Sequence, residues 1–148
     1  MKIPLTQGKF AIVGSKDYAF LMQWKWYYGN GYTVRNSKQI LMHRVILERM
    51  GFKNFVKSDH INRNTLDNRR CNLRPATNGQ SQCNRGKRKD NTSGYIGVSW
   101  HQGKWRADVR VNKKHIYLGR YNDPREAARA YNEAVLKYHG EFAVLNGV

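Results

Sequence analysis

The sequence predicts an α+β protein in two units, and three observations carry that expectation. Residues 85–94 (Arg-Gly-Lys-Arg-Lys-Asp-Asn-Thr-Ser-Gly) are polar, basic and free of apolar side chains, so they cannot pack a core. After them come three β-runs and then one capped amphipathic helix. Before them, short strands and short helices surround an Asp-His pair and an asparagine-rich loop. The expected organisation is a first domain at 1–84, a basic linker at 85–94 and a second domain at 95–148.

In the first domain, Lys9–Val13 reads as a short strand ended by Gly14-Ser15. Asp17 to Trp26 reads as a helix, with Phe20, Leu21 and Trp24 on one face. Gly29-Asn30-Gly31 is a turn, and Tyr32–Arg35 with Ile40–His43 form a hairpin about Asn36-Ser37. Arg44 to Met50 continues as a helix that stops at Gly51. Residues 55–60 form a strand leading to Asp59-His60, a long polar loop follows, and Asn72 begins a second strand. Thr77 then caps a helix through Asn84.

In the second domain, Tyr95–Trp100, Lys104–Val111 and His115–Tyr121 are the β-runs, the last two joined by a tight Asn112-Lys113 turn. Trp105, Ala107, Val109 and Val111 alternate with Lys104, Arg106, Asp108 and Arg110, so one face is apolar and the other mostly basic. Asp123-Pro124-Arg125-Glu126 then starts a helix, with Asp as N-cap, Pro first and Glu three residues after the cap. Its apolar face is Ala127, Ala130, Tyr131, Ala134, Val135 and Tyr138, and Gly140 stops it. A three-stranded antiparallel sheet packed against one helix is expected, with the basic face of the sheet open.

Charge points to the partner. Over 148 residues, 27 Lys+Arg stand against 10 Asp+Glu, a net charge of +17. A polyanion relieves that self-repulsion by counterion release. Every segment shares the excess, so the expected partner is a nucleic acid that touches the whole molecule. No run of 18 apolar residues and no apolar leader core occurs, so a membrane partner is not expected. Cys71 and Cys83 have no CxxC companion, and a reduced intracellular pair is expected.

The run Asp59-His60-Ile61-Asn62-Arg63-Asn64-Thr65-Leu66-Asp67-Asn68-Arg69-Arg70-Cys71-Asn72-Leu73-Arg74 is where chemistry is expected. A carboxylate is a hard oxygen ligand for a divalent ion. Histidine is the side chain poised to accept a proton near neutral pH. Neighbours on a strand point to opposite sides, so Asp59 and His60 share a site only where the strand ends, as Asn62-Arg63-Asn64 implies. Asn72 is placed to brace the loop, and Arg63, Arg69, Arg70 and Arg74 to grip phosphates. An isolated Asp-His pair is far more often an ordinary surface turn than a catalytic pair; the whole run is the stronger signal.

From Met42-His43-Arg44 through Asn84 the chain resembles the HNH homing endonucleases of phages and introns. That resemblance implies a ββα-metal nuclease fold with one divalent ion, Mg²⁺ or Mn²⁺, and a cytoplasmic setting in a bacterial or phage-infected cell. Asp59 would be a ligand, His60 the general base and Asn72 the brace of the loop. The family's second ligand, an Asn or His in the helix, aligns here with Ser81, and Asn84 three residues on is the alternative. His43 recurs in the family's flanking segment, where a structural or phosphate-contacting role is expected over a catalytic one.

Residues 94–146 resemble the Apetala/ethylene-response-factor DNA-binding domain, through Tyr95-Ile96-Gly97-Val98, Gly103-Lys104-Trp105-Arg106-Ala107, Tyr117-Leu118-Gly119-Arg120-Tyr121 and Glu126–Tyr131. This implies a sheet face in the major groove of double-stranded DNA, with Lys104, Arg106, Arg110 and Arg120 in contact and Arg85, Lys87, Arg88 and Lys89 of the linker beside them. Ile96 and Ser99 stand where the plant domains carry arginines, so the plant base preference does not transfer. The expected function is a DNA endonuclease, acting as a monomer that nicks. The rivals are a DNA-binding regulator on a weakened HNH scaffold, motivated by Ser81, and a general RNA-binding protein, motivated by charge.

Overall fold

The computed structural model describes residues 1–36 and 38–148, which divide into two compact units, Met1–Asn78 and Gly79–Val148. Small antiparallel sheets and four α-helices among the described residues give the mixed α+β class that the sequence predicts. None of the described helices is long and apolar enough to cross a membrane.

In the first unit β1 (Lys2–Pro4) pairs antiparallel with β2 (Phe10–Ile12). β1 is absent from the sequence reading because only Ile3 of its three residues is buried, too little for a period. α1 spans Ser15–Leu21 rather than running on to Trp26. The Trp26 indole N–H donates to the Leu21 carbonyl at 2.8 Å, closing the helix end, and the chain goes directly into β3 (Tyr27–Gly29). β3 pairs with β4 (Tyr32–Arg35) around Asn30 and Gly31, both at positive φ, as a tight hairpin requires. β4 pairs in turn with β5 (Ile40–Leu41); of the turn expected about Asn36-Ser37, Ser37 lies outside the described residues.

The strand expected over Ile40–His43 stops at Leu41. Met42 and His43 instead open α2 (Met42–Arg49), whose Met42, His43, Ile46 and Leu47 are buried. Helical spacing of those apolar residues outweighs the two-residue alternation seen in the sequence. β6 (Lys57–His60) and β7 (Leu73–Ala76) form an antiparallel hairpin, shorter at its start than the 55–60 expected. Asn72 is not in β7; it sits in the 3-10 turn Arg70–Asn72. Ile3, Ala11, Val13, Leu21, Trp26, Met42, Ile46, Leu47 and Leu73 make the core beneath this hairpin.

α3 covers Asn78–Cys83, all but its first residue in the second unit. Residues 85–94 form no helix or strand, yet Ser93 Oγ donates to the Val98 carbonyl (2.8 Å) and Asn91 Nδ2 to the Tyr95 carbonyl (2.8 Å). β8 (Val98–His101), β9 (Lys104–Val111) and β10 (Lys114–Tyr121) form a sheet in the order β10-β9-β8. β8 starts later than Tyr95 because Gly97 takes a left-handed φ of +72°, and a Cβ there would stand 2.1 Å from the Tyr131 ring. α4 (Pro124–His139) is capped by Asp123, whose side chain accepts from the Arg125 amide at 2.8 Å. Ala127, Ala128, Tyr131, Ala134 and Val135 are its buried residues. Ala128 joins the buried face, whereas Ala130, expected there, is only half-buried and Tyr138 is exposed. Small side chains let the helix settle closely on Val98, Ala107 and Val109. Cys71 and Cys83 are both free thiols.

Candidate functional site

The β6–β7 hairpin ends where the chemistry was expected. Register pairs Asp59 with Arg74 and His60 with Leu73, and β6 stops at His60. Asp59 and His60 are both buried, at 7% and 5% exposure. The carboxylate of Asp59 accepts from Arg74 through Nε at 2.9 Å and Nη2 at 2.8 Å, both on Oδ2.

His60 is set by a different group. Its Nε2 lies 3.3 Å from Asn68 Oδ1, while Asn68 Nδ2 donates to the Leu66 carbonyl, which fixes Oδ1 as the atom turned to the ring. An oxygen acceptor there puts the proton on Nε2 and the basic lone pair on Nδ1. The His43 ring stands edge-on to His60, centroids 5.0 Å apart at 86°, and Tyr32 completes the wall at 5.4 Å from His43 and 6.3 Å from His60. Burial, partly offset by the Asn68 hydrogen bond and the Asp59 and Asp67 charges, holds His60 below the ordinary histidine value. Burial, reinforced by His60 and Arg44, pushes His43 down to about 3. Both imidazoles are therefore neutral at pH 7.

The loop between the strands is built from asparagines and aspartates. Asn72 donates from Nδ2 to Asn62 Oδ1 (2.9 Å) and to the Asp67 carbonyl (2.7 Å), and its Oδ1 accepts from the Asn62 amide at 2.9 Å. Asn62 and Asn64 side chains accept from the amides two residues on, at 2.8 and 3.1 Å. The loop is also clipped to β2: the Ile12 amide donates to the Leu66 carbonyl (2.8 Å) and the Asn68 amide to the Ile12 carbonyl (2.7 Å). Asn72 thus braces the loop, while Asn68 holds the imidazole. Sequence spacing gave no sign of Asn68, since its partner lies eight residues back across a loop.

Of the arginines expected to grip phosphates, three already hold carboxylates. Arg69 forks onto Asp67 (2.8 and 2.7 Å), Arg70 onto buried Asp17 (2.7 Å twice), and Arg74 onto Asp59. Arg49 joins Arg70 on Asp17 at 2.9 Å, and the Arg70 hydrogen bond foremost holds that carboxyl below its ordinary value. Arg63 is exposed at the loop tip, in a left-handed conformation.

In the second unit Ser81 on α3 is half-buried, and Asn84, just past its end, is buried. Arg85, Lys87, Arg88 and Lys89 are exposed; Arg88 forks onto Asp90 at 2.9 Å and Lys87 donates to the Gly94 carbonyl. On the open face of the sheet Lys104, Arg110 and Arg120 are exposed and Arg106 half-exposed. Asp108 sits among them, with His115 Nδ1 at 2.9 Å and Arg106 Nε at 3.6 Å, and the Arg106 guanidinium lies over the exposed Tyr117 ring at 5.5 Å. Arg120 donates to Gln102 Oε1 (2.8 Å) and the His101 carbonyl (3.2 Å). Ile96, by contrast, packs into the core with Val109 and Tyr131.

A divalent ion is testable against these donors. Among the described residues no three His, Cys, Asp or Glu side chains gather. Beside His60 the buried carboxylate Asp59 is an oxygen donor of the kind Mg²⁺ or Mn²⁺ takes, and not the thiolate and imidazole set of a zinc cage.

The features so far define an α+β protein with one hairpin-borne His-Asn constellation and one sheet with an open basic face. The comparisons find two kinds of protein. The chain is 29% identical over 147 residues to an uncharacterized HNH endonuclease of Acanthamoeba polyphaga mimivirus, covering 96% of this chain and 77% of that protein. It is 34% identical over 112 residues to an AP2-like ethylene-responsive transcription factor of Arabidopsis thaliana, and 47% identical over 58 residues to the Arabidopsis ethylene-responsive transcription factor WRI1. Those matches take in 74% and 36% of this chain, which spans only 24% and 14% of the two plant proteins. No family model matches the chain.

Proposed function

We propose that this protein is a DNA endonuclease in which the first unit hydrolyses a phosphodiester and the second binds the duplex through the open sheet face. The observation that carries the reading is His60: buried, neutral and turned by Asn68 so that its lone pair is on Nδ1. Such a group takes a proton from water as the water attacks phosphorus. The P–O3′ bond breaks, leaving a 5′ phosphate and a 3′ hydroxyl that is protonated from solvent. Asp59 would hold one divalent ion, Mg²⁺ or Mn²⁺. When bound, that ion supplies positive charge to the phosphorane and the departing oxygen.

The chain's own residues do the rest. Asn72 keeps the 61–72 loop from collapsing, Asn68 sets the His60 tautomer, and Arg74 neutralises Asp59. β6, β7 and α3 follow one another in the chain in the order of a ββα-metal finger, which is how we read them. The mimivirus relative, named as an HNH endonuclease, supports the nuclease half; the plant factors support duplex binding. One constellation of this kind in a monomer cuts one strand, so nicking is the expected outcome.

A second reading has a specific observation behind it. Arg74 places both its donors on Asp59 Oδ2, and Ser81 is a weaker ligand than Asn or His, so the scaffold could serve a DNA-binding regulator. Supercoiled plasmid incubated with Mg²⁺ or Mn²⁺ separates the two, with EDTA and His60→Ala as controls. Metal-dependent nicking that falls about 10²–10⁴-fold in His60→Ala is expected. Tight, salt-sensitive duplex binding without cutting would leave the regulator. Preference for RNA at equal salt would sink both. Ser81→Ala and Asn84→Ala, compared for Mn²⁺ affinity, tell which of the two contributes a ligand.

A further inference from the structure

We infer that the first unit holds a phosphate of the duplex backbone at Arg35, with Lys25 beside it, away from the loop arginines where such contacts were expected. The inference takes its ligand, duplex DNA, from the reading above and needs no cutting. Arg69, Arg70 and Arg74 already hold carboxylates. Arg35, the last residue of β4, is held differently. Its guanidinium carbon stands 3.9 Å from the centre of the Trp24 ring and 5.5 Å from that of Trp26. No carboxylate among the described residues pairs with it, and of its nitrogens only Nε is sealed from solvent without a hydrogen bond.

A guanidinium stacked by its face on an indole is attracted to the ring and keeps its N–H edge for a planar acceptor. The platform is rigid. Trp26 is buried with its indole N–H tied to the Leu21 carbonyl, and Phe20 stands edge-on to Trp24 at 4.8 Å. A fork fixed in advance gives up little rotamer freedom when it meets two phosphate oxygens. The groove beside it is lined by Thr6, Trp24, Lys25, Tyr27, Arg35 and Asn36, two cations and no carboxylate. On its other side Arg35 borders a groove that also holds Glu48 and the Arg49 already bound to Asp17, which favours an anion less. The acid-free groove is therefore where a phosphodiester sits, its two free oxygens on the Arg35 fork and its charge facing the exposed Lys25 ammonium.

Binding of the full chain to a random-sequence duplex, measured over a salt series in EDTA so that no strand is cut, tests this. Arg35→Met keeps a stem between the indoles and removes the charge. The slope of log K against log salt is expected to flatten by about 0.9 and the affinity to fall about tenfold, with thermal stability unchanged. Lys25→Gln is expected to flatten the slope by a similar amount, and Arg35→Lys to keep the slope while losing affinity, because a point charge replaces the fork. Lysine acetylation read by mass spectrometry gives a local readout: saturating duplex should protect Lys25 in the wild-type chain. An unchanged slope in Arg35→Met would overturn the inference, and a lowered melting temperature beside it would make the stack a packing device only. A Lys25 as reactive with duplex as without it would overturn it too, whether or not the Arg35 variants fold. A slope that responds to Arg35→Met on single-stranded RNA and not on duplex would overturn the choice of ligand. A wild-type chain that binds duplex in this way and cuts with neither metal would sink the nuclease reading and leave this phosphate site standing.

Discussion

On β9, Arg106 and Arg110 face outward and Ala107 and Val109 face α4 because alternate residues of a strand point to opposite sides. Around His60 nothing is so local. Side chains that touch its ring include Asn68 from the loop, His43 from α2 and Tyr32 from β4. One unit holds its functional face by period, the other by a web of long-range hydrogen bonds and ion pairs. The two should therefore break in different ways.

Gly97→Ala strikes the regular unit where it has no slack. The added methyl would meet the Tyr131 ring at 2.1 Å and the Asp108 carbonyl at 2.7 Å, at a φ that disfavours any side chain. Overpacking and backbone strain together cost about 3 kcal/mol or more. Hydrogen exchange read residue by residue should show the loss across 95–148, together with weaker duplex binding.

Asp17→Asn strikes the irregular unit at its buried ion triplet. It leaves Arg49 and Arg70, each about a third exposed, without their carboxylate. Breaking such an arrangement costs about 3 kcal/mol when fully buried and less here, since water reaches both guanidiniums. Exchange should speed in residues 1–78, and the 61–72 loop should loosen through Arg70. Asn72→Ala comes next. Three hydrogen bonds are lost, with the Asp67 carbonyl left buried, for about 2 kcal/mol. Nicking should fall far more than duplex affinity does; equal losses in both would mean that the loop binds DNA rather than shaping the site.

Acid should also act on the first unit. Burial holds His43 down to about 3, against 6.5 when unfolded, so between those values the unfolded chain binds the extra proton. Stability is then complete above pH 6.5 and falls as pH drops, by up to about 1.4 kcal/mol per pH unit. The groups facing His43 are His60, Tyr32 and Arg44, and His60, also held low by burial, adds an effect of the same sign. Urea midpoints at pH 7.5 and pH 5 should therefore lie closer together in His43→Phe than in wild type.

The same contrast explains what the sequence could tell. The sheet and α4 were legible because each rests on a local signal: alternation in Trp105–Val111, an Asp-Pro cap, a glycine stop. Even there the start of β8 was misplaced, since Gly97 reads as a strand residue until its contact with Tyr131 is known. In the first unit the Asp-His pair and Asn72 stood out through the motif. Asn68, Tyr32 and Asp17 did not, because their partners lie across a loop or on another element and leave no spacing to find. Arg70 looked like a phosphate contact for the same reason. Its carboxylate is 53 residues away.

Arg110 is exposed on the open sheet face; its carbonyl lies 2.9 Å from His139 Nε2, and its guanidinium forks onto no carboxylate among the described residues. Arg69 is half-exposed, but its guanidinium is already forked onto Asp67. Each phosphate neutralised in duplex DNA lowers the slope of log K against log salt by about 0.9. Arg110→Gln should therefore flatten that slope by close to one counterion and weaken duplex binding a few-fold. Arg69→Gln should leave the slope nearly unchanged, because a guanidinium committed to a carboxylate releases no counterion. If Arg69→Gln flattens the slope as much as Arg110→Gln, the Asp67 fork opens on the duplex. The loop of the first unit is then a second DNA grip, and not only the frame that holds His60.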